Sequence, residues 1–568
     1  MNWNLLTPDP DQAEDLSRQL NLPLQVTRLL INRGIMSLDQ AREFFSPSLS
    51  NLPPPGLMKD MEKAVSRICR AIQEKERLAV FGDYDADGIT ATALLLQFLK
   101  PLAPDSTFYL PHRTREGYGL SLSGISELKE QGVSLIITVD CGISNHHEIA
   151  FARQLGLEVI VTDHHQIPRQ GPPAALAVIN PRQEGCSFPF KELAGVGVAL
   201  YLVIALRQAL DRQGFFAQGK PNLRPYLDLA ALGTLADMVP LIGANRILVR
   251  EGLAEMTKGQ RTGLAALKEV SGLQSGEPVS SYDVSFRLAP RINALGRLQS
   301  AAAGVELFFS DDREEARRIA QLMQQENTRR QEMEKTILKE IENHFQLQPA
   351  TASKRSLVFG SATWHRGVLG IVASRLVESW SRPAFVFAIE GELAHGSGRS
   401  IEGFHLVKGL EALENLLLKF GGHAAAAGVT LKAKDLPLFE KAFEELAAGS
   451  LPETALRPAL SIEGEMDFPD LRREVVPYLP NLAPFGAGNP EPILATRGVR
   501  IRDRRLVGNG HLRLRLEQKG VILNGIGFGM GEKEMEPGDL IDLAYIPTVS
   551  HRGGDSFLQL RIKDIESA

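Results

Sequence analysis

Several protein classes are excluded by what this sequence has little of. Its 568 residues hold three cysteines, Cys69, Cys141 and Cys186. None stands in a CxxC pair and the number is odd, so neither a disulfide framework nor a zinc site is expected, and a reducing cytoplasm fits. No apolar run is long enough to span a bilayer. Met1-Asn2-Trp3-Asn4 has neither a basic region nor an apolar core, so no signal peptide is read there. Excess positive charge is missing as well. With a formal net charge of -5 the chain is not coated for nucleic acid, and any such surface must be local.

What remains is ordinary globular composition, 43% hydrophobic and 23% charged, in a chain too long for one core. Roughly three to five domains are expected. Residues 1–55 carry short helical patterns and end in the proline run Asn51-Leu52-Pro53-Pro54-Pro55-Gly56, a linker signal. Beyond it, helices alternate with strands that are apolar on both faces: 78–81, 107–110, 133–139 and 157–162. That pattern predicts a parallel sheet sandwiched by helices, whose ligands bind outside the carboxyl ends of the strands. Residues 193–300 read as mostly helical. Asp311 to Phe345 is one long helical pattern that Ser310 can cap. Its middle, 324–331, is polar all round, as in a helix that bridges domains. A second α/β unit follows from Ser356 to about Ala448. Residues 460–568 turn to short strands with Gly turns, a small β-barrel or sandwich.

Acids and imidazoles gather at the ends of apolar segments. Leu78-Ala79-Val80-Phe81 runs into Asp83-Tyr84-Asp85-Ala86-Asp87-Gly88. The next apolar strand ends in Asp140-Cys141-Gly142, and the third in Asp163-His164-His165. A fourth apolar segment, Leu232 to Pro240, presents Asp237 and is counted as another strand end. Carboxylate oxygens and imidazole nitrogens suit Mn²⁺, or Mg²⁺ if fewer imidazoles bind. Two such ions could stabilise both oxygens of an in-line displacement at a phosphate ester. Each acid also has a plainer reading. Asp83, Asp85 and Asp140 could cap the helices that follow, and the cap is preferred for Asp87. His146 and His147 read as a solvated helix face, and Cys141 as strand-end packing. Co-occurrence at successive segment ends favours the metal site.

These residues resemble the motifs of the DHH phosphoesterase superfamily, and other segments narrow the likeness to its RecJ branch. Leu288-Ala289-Pro290-Arg291-Ile292-Asn293-Ala294-Leu295-Gly296-Arg297 is similar to a RecJ segment. Trp364 to Arg375, His395-Gly396-Ser397-Gly398-Arg399-Ser400 and Phe420 to Gly428 resemble the associated DHHA1 domain. Asn481 to Pro490 is similar to the entry of the RecJ OB-type domain. The resemblance covers about residues 55–568. It implies an α/β multidomain protein: an N-terminal helical segment (1–55), a parallel-sheet DHH domain with a helical part (56–300), a long linking helix (301–350), an α/β DHHA1 domain (351–450) and a C-terminal OB-like β-barrel (460–568). It further implies a cytoplasmic exonuclease of recombination and repair, working 5′ to 3′ on single-stranded DNA with two Mn²⁺ or Mg²⁺ ions. A single-strand-binding protein and a helicase are the implied partners. By family pattern Asp83 and Asp140 hold one metal. Asp85, Asp140, His164 and Asp237 hold the other, with Asp140 bridging. His165 faces the scissile phosphate and Asp163 orients a neighbouring imidazole. Many relatives carry His two residues before the first Asp. Phe81 stands there in this chain, so a looser first site, completed by water, is expected.

Binding residues follow from chemistry as well. Gly421-Gly422-His423 and Gly396-Ser397-Gly398-Arg399 combine bare backbone N–H groups with a cation, as phosphate cradles do; a tight turn is the alternative. His423 and Arg399 would then stabilise charge at the reacting phosphate. Arg291 and Arg297 could pair with phosphate bidentately or form helix-surface ion pairs. His112 and Arg113 end a strand and could reach the nucleic acid. Period-two alternation puts Arg500, Arg502 and Arg504 and, past the turn Gly508-Asn509-Gly510, Arg513 and Arg515 on one face of a hairpin, where they would grip a single strand away from the cut. Two other functions stay open: cleavage of cyclic dinucleotides or very short RNAs, and a non-catalytic single-strand-binding replication scaffold.

Overall fold

The computed structural model describes residues 2–113, 115–217, 219–274, 276–298, 300–348, 353–456, 458–508, 510–552 and 555–568. Asn509, in the hairpin turn, and the end of the linking segment at 349–350 lie outside the described residues. The chain forms two compact units: Met1–Pro53, Met238–Glu251 and Ala459–Ala568 make one, and Pro54–Asp237 with Gly252–Pro458 make the other. No helix among the described residues is long and apolar enough to cross a membrane.

The larger unit contains the parallel sheet, in the order Thr107–Tyr109, Leu78–Gly82, Leu135–Val139, Glu158–Thr162, Ala177–Ile179. Strands 78–82 and 135–139 are buried at every position, which is why they read as unbroken apolar runs and not as alternating ones. The register aligns Gly82 with Val139 and Val139 with Thr162. The next residues, Asp83, Asp140 and Asp163, therefore emerge side by side on adjacent strands, about 4.8 Å per strand step. The apolar helices Ala86–Leu99 and Gly195–Arg212 pack on each other and the sheet.

The segment before Asp237 is a helix, Leu227–Ala236, and not a strand. A short apolar run is ambiguous between the two, and Leu and Ala, which outnumber the one β-branched residue, Thr234, tip this one to helix. The long helix spans Arg313–Leu347, and Asp312, not Ser310, caps it by accepting from Glu314 and Glu315 N–H groups. Its first half buries Ala316, Ile319, Ala320 and Met323. Its last half puts Ile337, Ile341 and Phe345 into the core of a second sheet. The polar middle thus links two cores within this unit. That second sheet has the order Lys419–Gly422, Ala426–Lys432, Leu393–Arg399, Ala384–Glu390, Leu357–Ser361 and is antiparallel except for the last pair.

The other unit is a closed barrel of five strands. Leu494–Val507 pairs with His511–Gln518, then Val521–Gly527, Asp555–Ser567 and Leu540–Arg552, which returns to Leu494–Val507. The N-terminal segment shares this unit. Asn2–Leu5 pairs in parallel with Ala459–Ile462, and Leu29, Leu30, Ala41 and Phe44 join the barrel core.

Candidate active site

The acids at the sheet end converge with His164 and Asp237. Three sets of ligand atoms each lie within 4.8 Å of one another: Asp83, Asp85 and Asp140; Asp140, His164 and His165; and Asp87, His164 and Asp237. Asp140 joins the first two. Its backbone is left-handed, φ 59°, a conformation that costs a non-glycine residue about 1–3 kcal/mol. The Tyr118 hydroxyl donates to its carbonyl at 3.0 Å. Two glycines make room for the cluster. A Cβ on Gly195 would stand 2.5 Å from the Asp140 carboxylate, and one on Gly88 would stand 2.5 Å from the Asp83 backbone.

Donor chemistry and partner atoms fit divalent cations. Asp83 Oδ1, Asp140 Oδ1, Asp237 Oδ2 and His164 Nε2 are buried and lack a hydrogen-bond partner. His164 Nε2 lies 3.2 Å from Asp140 Oδ1 and 3.5 Å from Asp237 Oδ2, but off hydrogen-bond geometry. Buried polar atoms are ordinarily satisfied, and four orphans converging from acids and an imidazole form an oxygen and nitrogen donor set of the Mn²⁺ or Mg²⁺ kind. Burial, and then repulsion from neighbouring acids, pushes Asp83, Asp140 and Asp237 well above the usual carboxylate range. Burial, with His165 adding to it, also brings His164 down to about 3, so its ring is neutral and its nitrogen available as a ligand.

Asp163 works behind the cluster. Its Oδ1 accepts from the N–H groups of His164 (2.7 Å) and His165 (3.0 Å) and lies 2.8 Å from His165 Nδ1, while Oδ2 accepts from Ile143 N–H at 2.9 Å. Burial alone would raise this carboxyl, but the hydrogen bond and charge of His165 hold it low. Burial would lower His165, yet Asp163, then Asp237 and Asp85, push it up to about 9. The Tyr118 hydroxyl stands 3.0 Å from the same Nδ1.

The helix caps differ from the sequence reading, which prefers Asp87 as the cap of the helix that follows it. Asp85, not Asp87, caps Ala86–Leu99, accepting from the N–H groups of Asp87 (3.0 Å) and Gly88 (3.1 Å). Asp87 instead caps the helix Gly195–Arg212 through Gly195 N–H (2.7 Å) and Val196 N–H (2.9 Å). It also reaches the His164–Asp237 set. Phe81 turns into the core against Tyr109, ring centroids 5.0 Å apart.

A basic cleft of about 680 Å³ lies in the same unit. Arg113, Arg366, Ser397, Lys419, Gly421 and Thr430 are among its walls. Arg297 donates to Gly367 O at 2.9 Å. Burial, then repulsion from Arg113, Arg330 and Arg399, brings it down to about 9. Such gathering of cations calls for an anion. Arg399 donates to Gly398 O, and its strand neighbour Ala426 receives the backbone N–H of His423. Gly421, Gly422 and His423 are exposed. Arg291 is drawn elsewhere: it donates to Gln324 Oε1 at 2.7 Å and to Arg287 O, tying its helix to the long one.

The arginine hairpin is less uniform than alternation predicts. A bulge between Ile501 and Asp503 shifts the register, so Asp503 pairs with Arg515, Arg504 with Leu514 and Arg505 with Arg513. Arg504 thereby leaves the arginine face, and Arg505 joins it. Arg502 is ion-paired with Glu517, and Arg505 with Asp503 at 2.9 Å. Arg500 is exposed and donates to Gly538 O at 3.3 Å. Arg513 and Arg515 are exposed while Leu512, Leu514 and Leu516 between them are buried.

Three family models match: the DHH family, N-terminal domain, over residues 77–234; the DHHA1 domain over 354–449; and the RecJ OB domain over 462–564. The single-stranded-DNA-specific exonuclease RecJ of Escherichia coli K12 is 38% identical over 98% of this chain and 97% of that protein. The chain belongs to the RecJ family. The crystal structure of RecJ from Thermus thermophilus in complex with Mn²⁺ matches with a TM-score of 0.84 at 32% identity, over all of this chain and 80% of that one. The Mg²⁺ complex of the same protein matches with a TM-score of 0.78 at 30% identity, over all of this chain and 78% of that one. Against this RecJ framework, sequence reasoning passed over Tyr118 and Asn293. Asn293 Oδ1 accepts from Ala86 N–H at 2.7 Å, fixing the loop between Asp83 and Asp87. Asn293 lies in the RecJ-like segment 288–297 but was given no role, and no local signal marks Tyr118, because both act through contacts remote in sequence.

Proposed function

We propose that this chain is a cytoplasmic, metal-dependent exonuclease that hydrolyses single-stranded DNA from the 5′ end to mononucleotides in recombination and repair. One observation carries the reading: buried, unpartnered ligand atoms of Asp83, Asp140, His164 and Asp237 converge at the end of a parallel sheet. Asp83 and Asp140 are assigned to one ion, and Asp85, Asp140, His164 and Asp237 to the other. When bound there, two such ions would supply an activated water and charge stabilisation for an in-line displacement. The side chains do the positioning. Asp163 holds His165 by Nδ1, which leaves Nε2 for the scissile phosphate. Arg113, Arg297, Arg399, Ser397 and the Gly421-Gly422-His423 turn bind phosphates along the strand. Arg500, Arg513 and Arg515 give the barrel a second grip on it. Residues 56–300 and 351–450, joined by the linking segment 301–350, carry the chemistry, and 460–568 the added grip. A helicase and a single-strand-binding protein are the partners such an activity would work with.

The test is release of nucleotides in Mn²⁺ from strands labelled at either end, from duplexes and from cyclic dinucleotides. Mononucleotides released from the 5′ end of single strands alone are expected. Release only from cyclic dinucleotides, or tight strand binding without any release, would overturn the reading.

A further inference from the structure

Two aromatic rings near the site are left unused by that mechanism. Tyr282 and Phe286 are 56% and 67% exposed, with ring centroids 4.8 Å apart and planes tilted by 30°. A Tyr–Phe pair at i, i+4 ordinarily covers core, whereas this one faces water. Between them Ser285 donates to Leu235 O at 3.5 Å, two residues before Asp237. The turn that carries Phe286, Val284–Leu288, is π-helical, a widening frequent at functional sites. The chain runs on into the helix Ala289–Leu298. There Asn293 holds the Ala86 N–H, and Gly296 lies so close to the Tyr84 carbonyl that a Cβ would stand 2.3 Å from it. One continuous segment therefore has two exposed rings at its outer end and the loop of Asp83 and Asp85 at its inner end.

We propose that Tyr282 and Phe286 form a stacking platform for the bases of the strand on its way to the metal site. The proposal rests on the exonuclease reading. At about 1.5 Å per residue, Phe286 stands roughly 10 Å and Tyr282 roughly 16 Å along the helix from Asn293. A stacked strand advances about 3.4 Å per nucleotide, so the rings would meet bases about three to five nucleotides from the scissile phosphate. Continuity with the site selects the occupant. Rings in the path of a polyanion that also passes Arg297 meet base faces, and every base has one. Paired bases inside a duplex cannot offer those faces, so the platform also favours single strands.

The test uses the full chain with Tyr282 and Phe286 both changed to Ala, beside the conservative Tyr282→Phe/Phe286→Tyr. Anisotropy of a labelled twenty-nucleotide oligo(dT) reads binding without turnover, and Mn²⁺-dependent release from the same strand and from a dinucleotide reads catalysis. The double Ala variant is expected to bind about tenfold more weakly or worse. Its KM on the long strand should rise in step, with kcat on the dinucleotide and Tm unchanged, and the conservative variant should restore affinity. Wild-type affinity and KM in the double Ala variant would overturn the platform. Wild-type chain that binds the strand but releases no nucleotide would instead overturn the exonuclease reading, with the binding difference still deciding the platform.

Discussion

Asp140 and Asp163 sit one strand apart and do opposite jobs. Asp140 keeps an oxygen without a partner, and Asp163 spends both of its oxygens on protein donors. Asp163 is therefore a positioning residue, and its removal should act through His165. Asp163→Asn is expected to lower kcat about 10- to 100-fold with little change in KM, measured by mononucleotide release in saturating Mn²⁺. A loss confined to KM would mean that His165 is held by something else. A second carboxylate, away from the metal site, ties pH to stability. Burial would raise Asp564, but Lys533 Nζ at 2.8 Å and Trp3 Nε1 at 3.1 Å lower it to about 2 from an ordinary 3.8. A depressed folded-state pKa means stability that is present above the unfolded value and lost as pH falls through the folded one. Asp564→Asn should thus have a lower Tm than the natural chain at pH 7, and the gap should close between about pH 4 and pH 2. A gap that stays constant across that window would rule the ion pair out as its cause.

At the scale of the element, the barrel hairpin separates free cations from paired ones. Arg513 and Arg515 make no ion pair among the described residues, whereas Arg502 is held by Glu517. Removing one cation that neutralises a phosphate of a single strand should flatten the dependence of log K on log salt by about 0.7. Arg513→Ala/Arg515→Ala should flatten it by about 1.4 and Arg502→Ala by much less, in titrations of oligo(dT) at several salt concentrations. Equal slopes for the two variants would show that the Glu517 pair opens on binding. The bulge that rearranges this face could not be read from Arg500 to Arg515, because alternation has no way to announce an extra residue. The acid-bearing strand ends were legible for the opposite reason: strands buried on both faces are unbroken apolar runs, and their polar ends stand out. Asp237 was legible as a residue but not in its helix, since a run of Leu, Ala and Gly has no strand or helix period to follow. The cap role of Asp87 was read onto the wrong helix because the helix that it caps begins more than a hundred residues later, at Gly195.

At the scale of the molecule, the barrel unit is assembled from three stretches that no sequence pattern connects, and one side chain shows how. Arg246 is 2% exposed and donates to Phe44 O in the N-terminal stretch and to Asn481, Leu482, Ala483 and Pro484 carbonyls in the C-terminal one. Its guanidinium also lies 3.7 Å from the centre of the Phe44 ring. No carboxylate pairs with it among the described residues, so burial, then Arg250 and Arg33, lower it to about 9. A guanidinium has five donors and no acceptor, which makes it suited to close a ring of carbonyls left over where helix ends and the loop meet. Replacing it with Met keeps the volume but strands those carbonyls in a dry interior. A buried acceptor left without its donor costs about 1–3 kcal/mol, and several at once are a large part of what holds a domain together. Arg246→Met should therefore lower the temperature at which the barrel unit melts, followed by hydrogen exchange of strands 494–507 and 511–518. Exchange of strands 78–82 and 135–139, which belong to the other unit, should stay as it was. Hydrolysis of a dinucleotide should survive at temperatures where the grip on a long strand is lost. If both sets of strands lose protection together, the two units unfold as one.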